Sequence, residues 1–97
     1  MAENIYSKSG KPLGFHDGRI IYNLNGHAVG QLRGSHVHTM SGHYVGELDH
    51  GMILDKNRNY ASIGSRGAGS KGARGLASRG ARGTSYRDKS DGIFDEE

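Results

Sequence analysis

The sequence of 97 residues has no cysteine, no tryptophan and a single proline. The absence of cysteine excludes disulfides, thiolate metal sites and a cysteine nucleophile. No apolar run approaches the ~20 residues that a membrane-spanning helix needs. The first residues, MAENIYSKSGK, contain no apolar stretch of the secretory kind, so we expect a cytoplasmic protein with no membrane partner. Leu, Ile, Val and Phe total seventeen residues, which limits the chain to one small core.

Glycine, in contrast, is abundant, and much of it recurs with a 16-residue period. Aligned without gaps, the four units are residues 5–20, 21–36, 37–52 and 53–68. Column one holds Ile5, Ile21, Val37 and Ile53; column six Gly10, Gly26, Gly42 and Arg58; column nine Leu13, Val29, Val45 and Ala61; column ten Gly14, Gly30, Gly46 and Ser62. Because a single short unit cannot bury its own apolar face, the units must pack on one another.

Each unit is predicted to be a β-hairpin. Gly10, Gly26 and Gly42 each follow Ser or Asn between short runs of β-forming residues, a pattern typical of a two-residue turn with positive φ. We expect these three glycines to be structural turn residues. Arg58 takes their place in the fourth unit, and since arginine tolerates positive φ poorly, that turn is predicted to differ. Residues 1–64 should then form a repeat domain of about eight short antiparallel strands.

The second strand of each unit makes further predictions. Side-chain alternation places Val29 and Gln31 on one face, with Ala28 and Leu32 on the other. The column-ten glycines are best explained by the close approach of another backbone. Columns one and nine should be buried. Four units without a capping unit favour closure into a ring over a linear stack.

This column pattern resembles a known family. A tyrosine-rich first strand, an x-Gly turn and an apolar-Val-Gly second strand, followed by Asp-Gly or Arg-Gly, are similar to the bacterial four-fold β-flower proteins. The similarity covers residue 5 to about residue 65. It implies an all-β fold of four hairpins around a pseudo-fourfold axis, and it implies no activity or site residues.

The small size of the repeat domain predicts self-association. Fourteen Leu, Ile, Val and Phe residues in the first 64 provide few kcal/mol of net stability. Small cores are often supplemented by burying a face between subunits. We therefore expect a homo-oligomer in which flat apolar faces stack.

Residues 65–97 are predicted to be a separate tail. The stretch GSRGAGSKGARGLASRGARGTSYR has no acidic residue, and its composition predicts flexibility. Spaced guanidinium groups neutralise phosphates without reading sequence, which favours an anionic partner such as nucleic acid or an acidic protein surface. A solubilising linker is the alternative. The candidate polyanion-binding residues are Arg66, Lys71, Arg74, Arg79, Arg82 and Arg87.

The last ten residues, DKSDGIFDEE, reverse the sign of the charge, with five acids and one lysine. We expect this end to be solvated, with Ile93 and Phe94 as an isolated apolar pair. Its acids are predicted to compete with phosphate for the basic stretch, so deleting residues 88–97 should strengthen polyanion binding.

Six histidines lie between residues 16 and 50, and His36 and His38 alternate onto one strand face with a spacing that permits metal chelation. Ring packing is the alternative, since both replace apolar or aromatic residues of the repeat. No catalytic set, cofactor motif or phosphate-binding lysine loop is recognisable. The sequence therefore predicts a non-enzymatic assembly or interaction module without a cofactor. The alternative is a small-ligand or metal-binding β domain that uses the repeat axis or the histidine face.

Overall fold

The computed structural model describes residues 3–64, 69, 71–72, 75, 77–81 and 83–94. Eight antiparallel strands form one curled sheet, in which each strand pairs with its neighbours in sequence order. The strands are β1 (Glu3–Tyr6), β2 (Pro12–His16), β3 (Ile20–Asn23), β4 (Ala28–Arg33), β5 (His36–Thr39), β6 (Tyr44–Asp49), β7 (Met52–Asp55) and β8 (Arg87–Asp88). A short 3-10 helix, Ser90–Gly92, follows β8. The predicted all-β fold class is confirmed.

The pairs β1–β2, β3–β4 and β5–β6 are termed hairpins 1, 2 and 3, and β7–β8 the fourth strand pair. The turns of the three hairpins hold Gly10, Gly26 and Gly42 at φ +95°, +88° and +104°. These values lie in the region that glycine enters without steric cost. In the described residues no helix combines the length and apolar character that crossing a membrane requires.

Each hairpin contains a β-bulge at the same place in the repeat. In hairpin 1, Ile5 pairs with Gly14 and Tyr6 pairs with Pro12, so Leu13 is the extra residue. Hairpins 2 and 3 repeat the shift, with Val29 and Val45 as the extra residues. Column nine of the repeat is therefore the bulge position, and the recurrence shows that the sequence period is a structural period.

The bulge overturns the strict alternation predicted for the second strand. Val29 and Leu32 both belong to the main core, whereas Ala28 packs on the other face against Phe15 and Tyr22. An extra residue inserted into one strand reverses the facing of the side chains beyond it. The residues in column nine carry no sign of this insertion.

The main core is built from column one. Ile5, Ile21, Val37 and Ile53 are fully buried, one from each repeat unit. Of column nine, Leu13 is buried while Val29 and Val45 are partly buried against the core. The prediction for column one is confirmed.

The column-ten glycines admit a neighbouring backbone, as predicted. A Cβ built at Gly46 would lie 2.6 Å from the carbonyl oxygen of Leu54, and one at Gly30 would lie 3.1 Å from that of His38. At Gly14 a Cβ would overlap the carbonyl oxygen of Tyr22. Each approaching carbonyl belongs to the first strand of the next unit, so glycine lets successive units curl tightly together.

The fourth strand pair departs from the prediction. Seven strands, not eight, lie in the first 64 residues, and residues 56–64 contain no strand. The partner of β7 is instead β8, in which Asp88 pairs with Leu54 and Arg87 with Asp55. The chain turns away at Asn57, which has φ +58°. Because Arg58 replaces the turn glycine, the fourth unit does not form the tight turn of the other three.

The C-terminal segment completes the core. Phe94 is 5% exposed and belongs to the main cluster, with Ile93 packed against it. The Phe94 ring occupies the space that a side chain at Gly14 would need, and the Ile93 side chain occupies the equivalent space at Gly30. The Lys89 N–H donates to Ile53 O at 2.8 Å. The expectation that Ile93 and Phe94 form an isolated apolar pair is wrong, because the glycine columns leave a hollow that these side chains fill.

The two edges of the sheet are joined at a seam. The Tyr6 N–H donates to Gly51 O at 2.7 Å, which brings β1 beside the turn before β7. The Asp88 carboxylate accepts from the backbone N–H groups of Lys8 and Ser90, both at 2.8 Å. The segment predicted to be a tail therefore supplies β8 to the sheet and Phe94 to the core.

Candidate functional site

The positive charge of the molecule is concentrated in residues 56–87, a segment that we call the belt. The belt contains eight Lys and Arg residues and no Asp or Glu. It leaves the sheet after β7 and returns to it as β8. A stretch of this composition is predicted from sequence to be flexible, so its described residues need specific contacts to hold them against the sheet.

Single backbone hydrogen bonds attach the belt to the hairpin turns. The Ile63 N–H donates to Gly42 O at 2.9 Å, that of Lys71 to Gly26 O at 2.7 Å, and that of Arg79 to Gly10 O at 3.0 Å. The donors are eight residues apart and the acceptors are sixteen apart in the opposite direction. The belt therefore passes hairpins 3, 2 and 1 in that order, one hairpin for every eight residues, before it joins β7.

The turn glycines are required by the belt as well as by the turn. A Cβ built at Gly10, Gly26 or Gly42 would overlap the carbonyl oxygen of the belt residue attached there. Glycine thus serves twice: it supplies positive φ, and it leaves room for a chain lying against the turn. The sequence pattern predicts the first role but not the second.

The side chains of two attached residues pack on equivalent tyrosines. The Arg79 guanidinium lies 4.2 Å from the Tyr6 ring centroid, and its Nη2 donates to His50 O at 2.6 Å. The Lys71 ammonium lies 5.5 Å from the Tyr22 ring centroid and 4.0 Å from the Asp17 carboxylate. Cation–π contacts of this kind add to the backbone attachment. Arg79 is half-buried, and its side chain holds the belt against Tyr6 and His50.

A buried amide ties the belt to hairpin 3. The Gln31 side-chain amide donates to Thr39 O at 3.2 Å, Met40 O at 3.3 Å and Gly64 O at 3.2 Å. Gln31 is fully buried, and its Oε1 accepts no hydrogen bond from the described residues. The side chain therefore joins strand, turn and belt at one point.

The six candidate polyanion-binding residues fall into three groups. Lys71 and Arg87 are exposed, and the Lys71 side chain retains 49% of its accessible surface. Arg79 is half-buried between Tyr6 and His50. The other three, Arg66, Arg74 and Arg82, lie outside the described residues.

A sequence signal for the belt existed. The segments ASIGSRGA, GSKGARGL and ASRGARGT follow one another as residues 61–68, 69–76 and 77–84. This is an eight-residue repeat, half the period of the hairpins. A search for self-similarity at the shorter period would have indicated one belt step per unit.

Hairpin 3 carries the second candidate feature, a buried carboxylate. Glu47 is 2% exposed and accepts three hydrogen bonds of 2.8 Å, from Ser35 Oγ, His36 Nδ1 and Tyr44 OH. The Arg58 guanidinium is 3.9 Å from Glu47 Oε1. We refer to Glu47, Ser35, His36, Tyr44, Arg58 and Tyr60 as the Glu47 cluster.

The hydrogen bonds keep this carboxylate ionised. Burial by itself would raise the pKa of Glu47, but the bonds from Ser35, His36 and Tyr44 outweigh burial and lower it. Burial, followed by the bond to Glu47, raises the pKa of the Tyr44 phenol far above its ordinary value. Since a carboxylate can only accept, His36 donates from Nδ1 and presents Nε2 on the other side of the ring.

An aromatic group covers the cluster. The Tyr60 ring stacks on the His36 ring, with centroids 3.8 Å apart and planes tilted by 30°. Its edge meets Tyr44 at 5.1 Å. Tyr60 remains 36% exposed, and Tyr86 is the other exposed large hydrophobic residue of the described chain.

The candidate metal pair is divided between different partners. His36 Nδ1 bonds to Glu47, whereas His38 is 2% exposed and its Nδ1 lies 3.1 Å from Gly42 O. Within the described ranges, no group of three or more His, Asp or Glu side chains is arranged to hold a metal ion. Both rings take part in packing, against Tyr60 and Tyr44 respectively.

Comparison with known proteins agrees with the geometry. The model of the family described as 4-fold beta flower protein matches residues 3–89, which includes the belt and β8 as well as the hairpins. No curated protein and no solved structure matched the chain. The repeated hairpins, the equivalent bulges and the family match lead to one conclusion. The chain belongs to the 4-fold beta flower protein family.

Proposed function

We propose that this protein is a non-enzymatic binding module that engages a polyanion, nucleic acid in particular, through the belt. The observation that carries the proposal is the distribution of charge. The eight basic residues of the belt follow one another without an intervening acid, while the chain as a whole has a formal charge of only +3. Phosphate neutralisation by Lys and Arg is the main source of sequence-independent affinity for nucleic acids.

The attachment of the belt supports the proposal. Its described residues are attached through backbone N–H groups, which leaves exposed cations such as Lys71, Arg58 and Arg87 on the outside. Residues that are already held against the hairpin turns, such as Ile63, Lys71 and Arg79, lose less conformational entropy on binding than residues of a free tail would. Extended curvature around the sheet also suits a flexible phosphate polymer, which can follow the belt from one hairpin to the next.

Asp88, one of the five C-terminal acids, has a structural contact at the seam. Asp88 accepts from the backbone of Lys8 and Ser90 at the seam. Deleting residues 88–97 would also remove Phe94 from the core, so that deletion cannot report on competition for the belt. Ile93 and Phe94 of the same chain pack against the main core, and self-association through a stacked face stays a prediction.

The test is fluorescence anisotropy with a labelled single-stranded oligonucleotide at two salt concentrations. One variant replaces Arg66, Arg74 and Arg82 by Gln, and a charge-matched control replaces Lys8, Lys11 and Arg19, which lie outside the belt, by Gln. We expect the belt variant to bind more weakly and to lower the salt slope by about 0.7 for each phosphate that it no longer neutralises. The control should stay within about twofold of the wild type. Equal weakening in both variants, or no binding by the wild type at low salt, would refute the proposal.

A further inference from the structure

The repeat provides an internal comparison for the Glu47 cluster. In hairpin 2, Ile20 pairs with Gln31, whereas the equivalent pair in hairpin 3 is His36 with Glu47. Ala28 in hairpin 2 is likewise replaced by Tyr44 in hairpin 3. The fold at hairpin 2 is completed by the apolar cluster of Phe15, Ile20, Tyr22 and Ala28. The same backbone therefore does not need a buried ion, and replacing buried ions by apolar groups is often neutral or stabilising.

The groups that the cluster presents to solvent are cationic and aromatic. The His36 side chain is 33% exposed and that of Arg58 55%, while the acid between them is 3% exposed. Arg33, which pairs with His36 across β4 and β5, is exposed. A ligand approaching this surface meets the Tyr60 ring, two guanidinium groups and an imidazole, with the negative charge of Glu47 buried beneath them.

The hydrogen bonds of Glu47 fix these groups in place. The His36 ring is held at Nδ1, and it supports Tyr60 from below by stacking. The contact of Arg58 with Glu47 Oε1 keeps the guanidinium on the same side. An aromatic ring held by its neighbours is a platform on which a nucleobase can stack, and adjacent guanidinium groups suit the phosphate of the same nucleotide.

We propose that Tyr60, Arg58 and His36 form a site that takes one unstacked base and its phosphate from a single-stranded nucleic acid. This inference deepens the proposed function and rests on it, because the belt continues from Tyr60 and supplies the contacts to the neighbouring phosphates. The site distinguishes single strands from duplexes, since the bases of a duplex are stacked on one another and do not reach an aromatic side chain.

The experiment compares Tyr60→Leu with Tyr60→Phe, and uses Tyr86→Leu as the matched control. Tyr86 is exposed to the same degree, but its ring is engaged by Lys56 at 5.2 Å. Binding of an oligothymidine strand and of a duplex is measured by anisotropy at low salt. We expect Tyr60→Leu to lower single-strand affinity about tenfold without changing the salt slope, and Tyr60→Phe and Tyr86→Leu to stay within about twofold. Duplex affinity should not change in any variant.

Other outcomes separate this site from the belt or overturn one or both proposals. If the triple belt variant binds more weakly and Tyr60→Leu does not, the site is wrong and the proposed function stands. If the wild type binds neither strand nor duplex, both are wrong. A wild type that binds duplex as tightly as single strand also overturns the site. Ring resonances of Tyr60 and His36 in the wild type, followed by NMR during titration with the oligothymidine, should shift, and unshifted resonances would contradict the assignment without reliance on any variant.

Discussion

Replacing Glu47 by Gln changes one charge and almost no volume at the centre of the cluster. The wild-type carboxylate accepts from Ser35, His36 and Tyr44 at 2.8 Å each. An amide at this position keeps one acceptor oxygen and places an N–H₂ group where the other oxygen was. The hydroxyl groups of Ser35 and Tyr44 can turn to accept from it, and His36 can move its proton to Nε2. The variant should fold, but with weaker bonds.

The size of the effect follows from the number of charge-assisted bonds. A hydrogen bond to a charged group contributes about 1.5–3 kcal/mol, and a neutral one about 1 kcal/mol. Three bonds to a carboxylate become two or three neutral bonds, so we expect the free energy of unfolding at pH 7 to fall by about 1.5–7 kcal/mol. The control is Asp49→Asn. Asp49 is more exposed and pairs with Lys56 at 2.7 Å, and such surface pairs are typically worth about 0–1 kcal/mol.

The pH dependence gives an independent check with a defined sign. The pKa of Glu47 is lowered in the folded state from an ordinary value of 4.5. Its contribution is therefore complete above about pH 4.5 and is lost as the pH falls through the lower, folded-state pKa. Urea unfolding at pH 7, 5, 4 and 3 should show the difference between wild type and Glu47→Gln shrinking toward acid. A variant within about 0.5 kcal/mol of wild type at pH 7 would refute the reasoning, as would a difference independent of pH.

Three other predictions follow from the belt, the C-terminal segment and the histidines. Gly26→Ala and Gly18→Ala should both incur about 1–2 kcal/mol of backbone strain at positive φ. A Cβ at Gly18 meets nothing within 4 Å, so Gly26→Ala should lower the free energy of unfolding in urea by about 1–3 kcal/mol more than Gly18→Ala does. Equal destabilisation would mean that the belt is not docked at that turn. Phe94→Ala should lower the free energy of unfolding by about 3–5 kcal/mol and increase binding of a hydrophobic dye; an unchanged thermal midpoint would contradict its place in the core. Divalent metals should leave the thermal midpoint unchanged, because His36 and His38 are held by separate partners; a rise that a chelator reverses would favour the metal-binding alternative.

The hairpins were predictable because the repeated residues are determined by local requirements, namely an apolar core position and a turn with positive φ. Column one is apolar in all four units, and glycine at the turns is a direct consequence of positive φ. The bulge at Val29 was not predictable, since an extra residue in a strand changes no composition. Without the bulge, alternation assigns the wrong facing to Leu32 and Ala28.

The belt and the core closure were missed for a physical reason. Attachment through single backbone N–H groups at Ile63, Lys71 and Arg79 needs no apolar side chain, so it leaves no hydrophobic pattern. The burial of Phe94 depends on a hollow created by glycines some 60 to 80 residues earlier in the chain. The Glu47 cluster was missed for a similar reason. Its polar and aromatic residues can be read from the sequence, but the contact of His36 with Tyr60 depends on the path of the chain after β7.

The partner of β7 arrives late in the chain, and this has a consequence for the order of synthesis. Leu54 is made more than thirty residues before Asp88, with which it pairs. Until residues 87–94 have emerged, β7 has an unpaired edge and the four buried isoleucine and valine side chains of column one lack their cover. Local hairpins can form during translation, whereas the final closure requires a long loop and is expected to be the slow step. The native fold therefore closes only when the chain is complete through residue 94. A chain that stops in the belt has hairpins but no finished core, and it exposes an unpaired strand edge and apolar surface to chaperones and proteases.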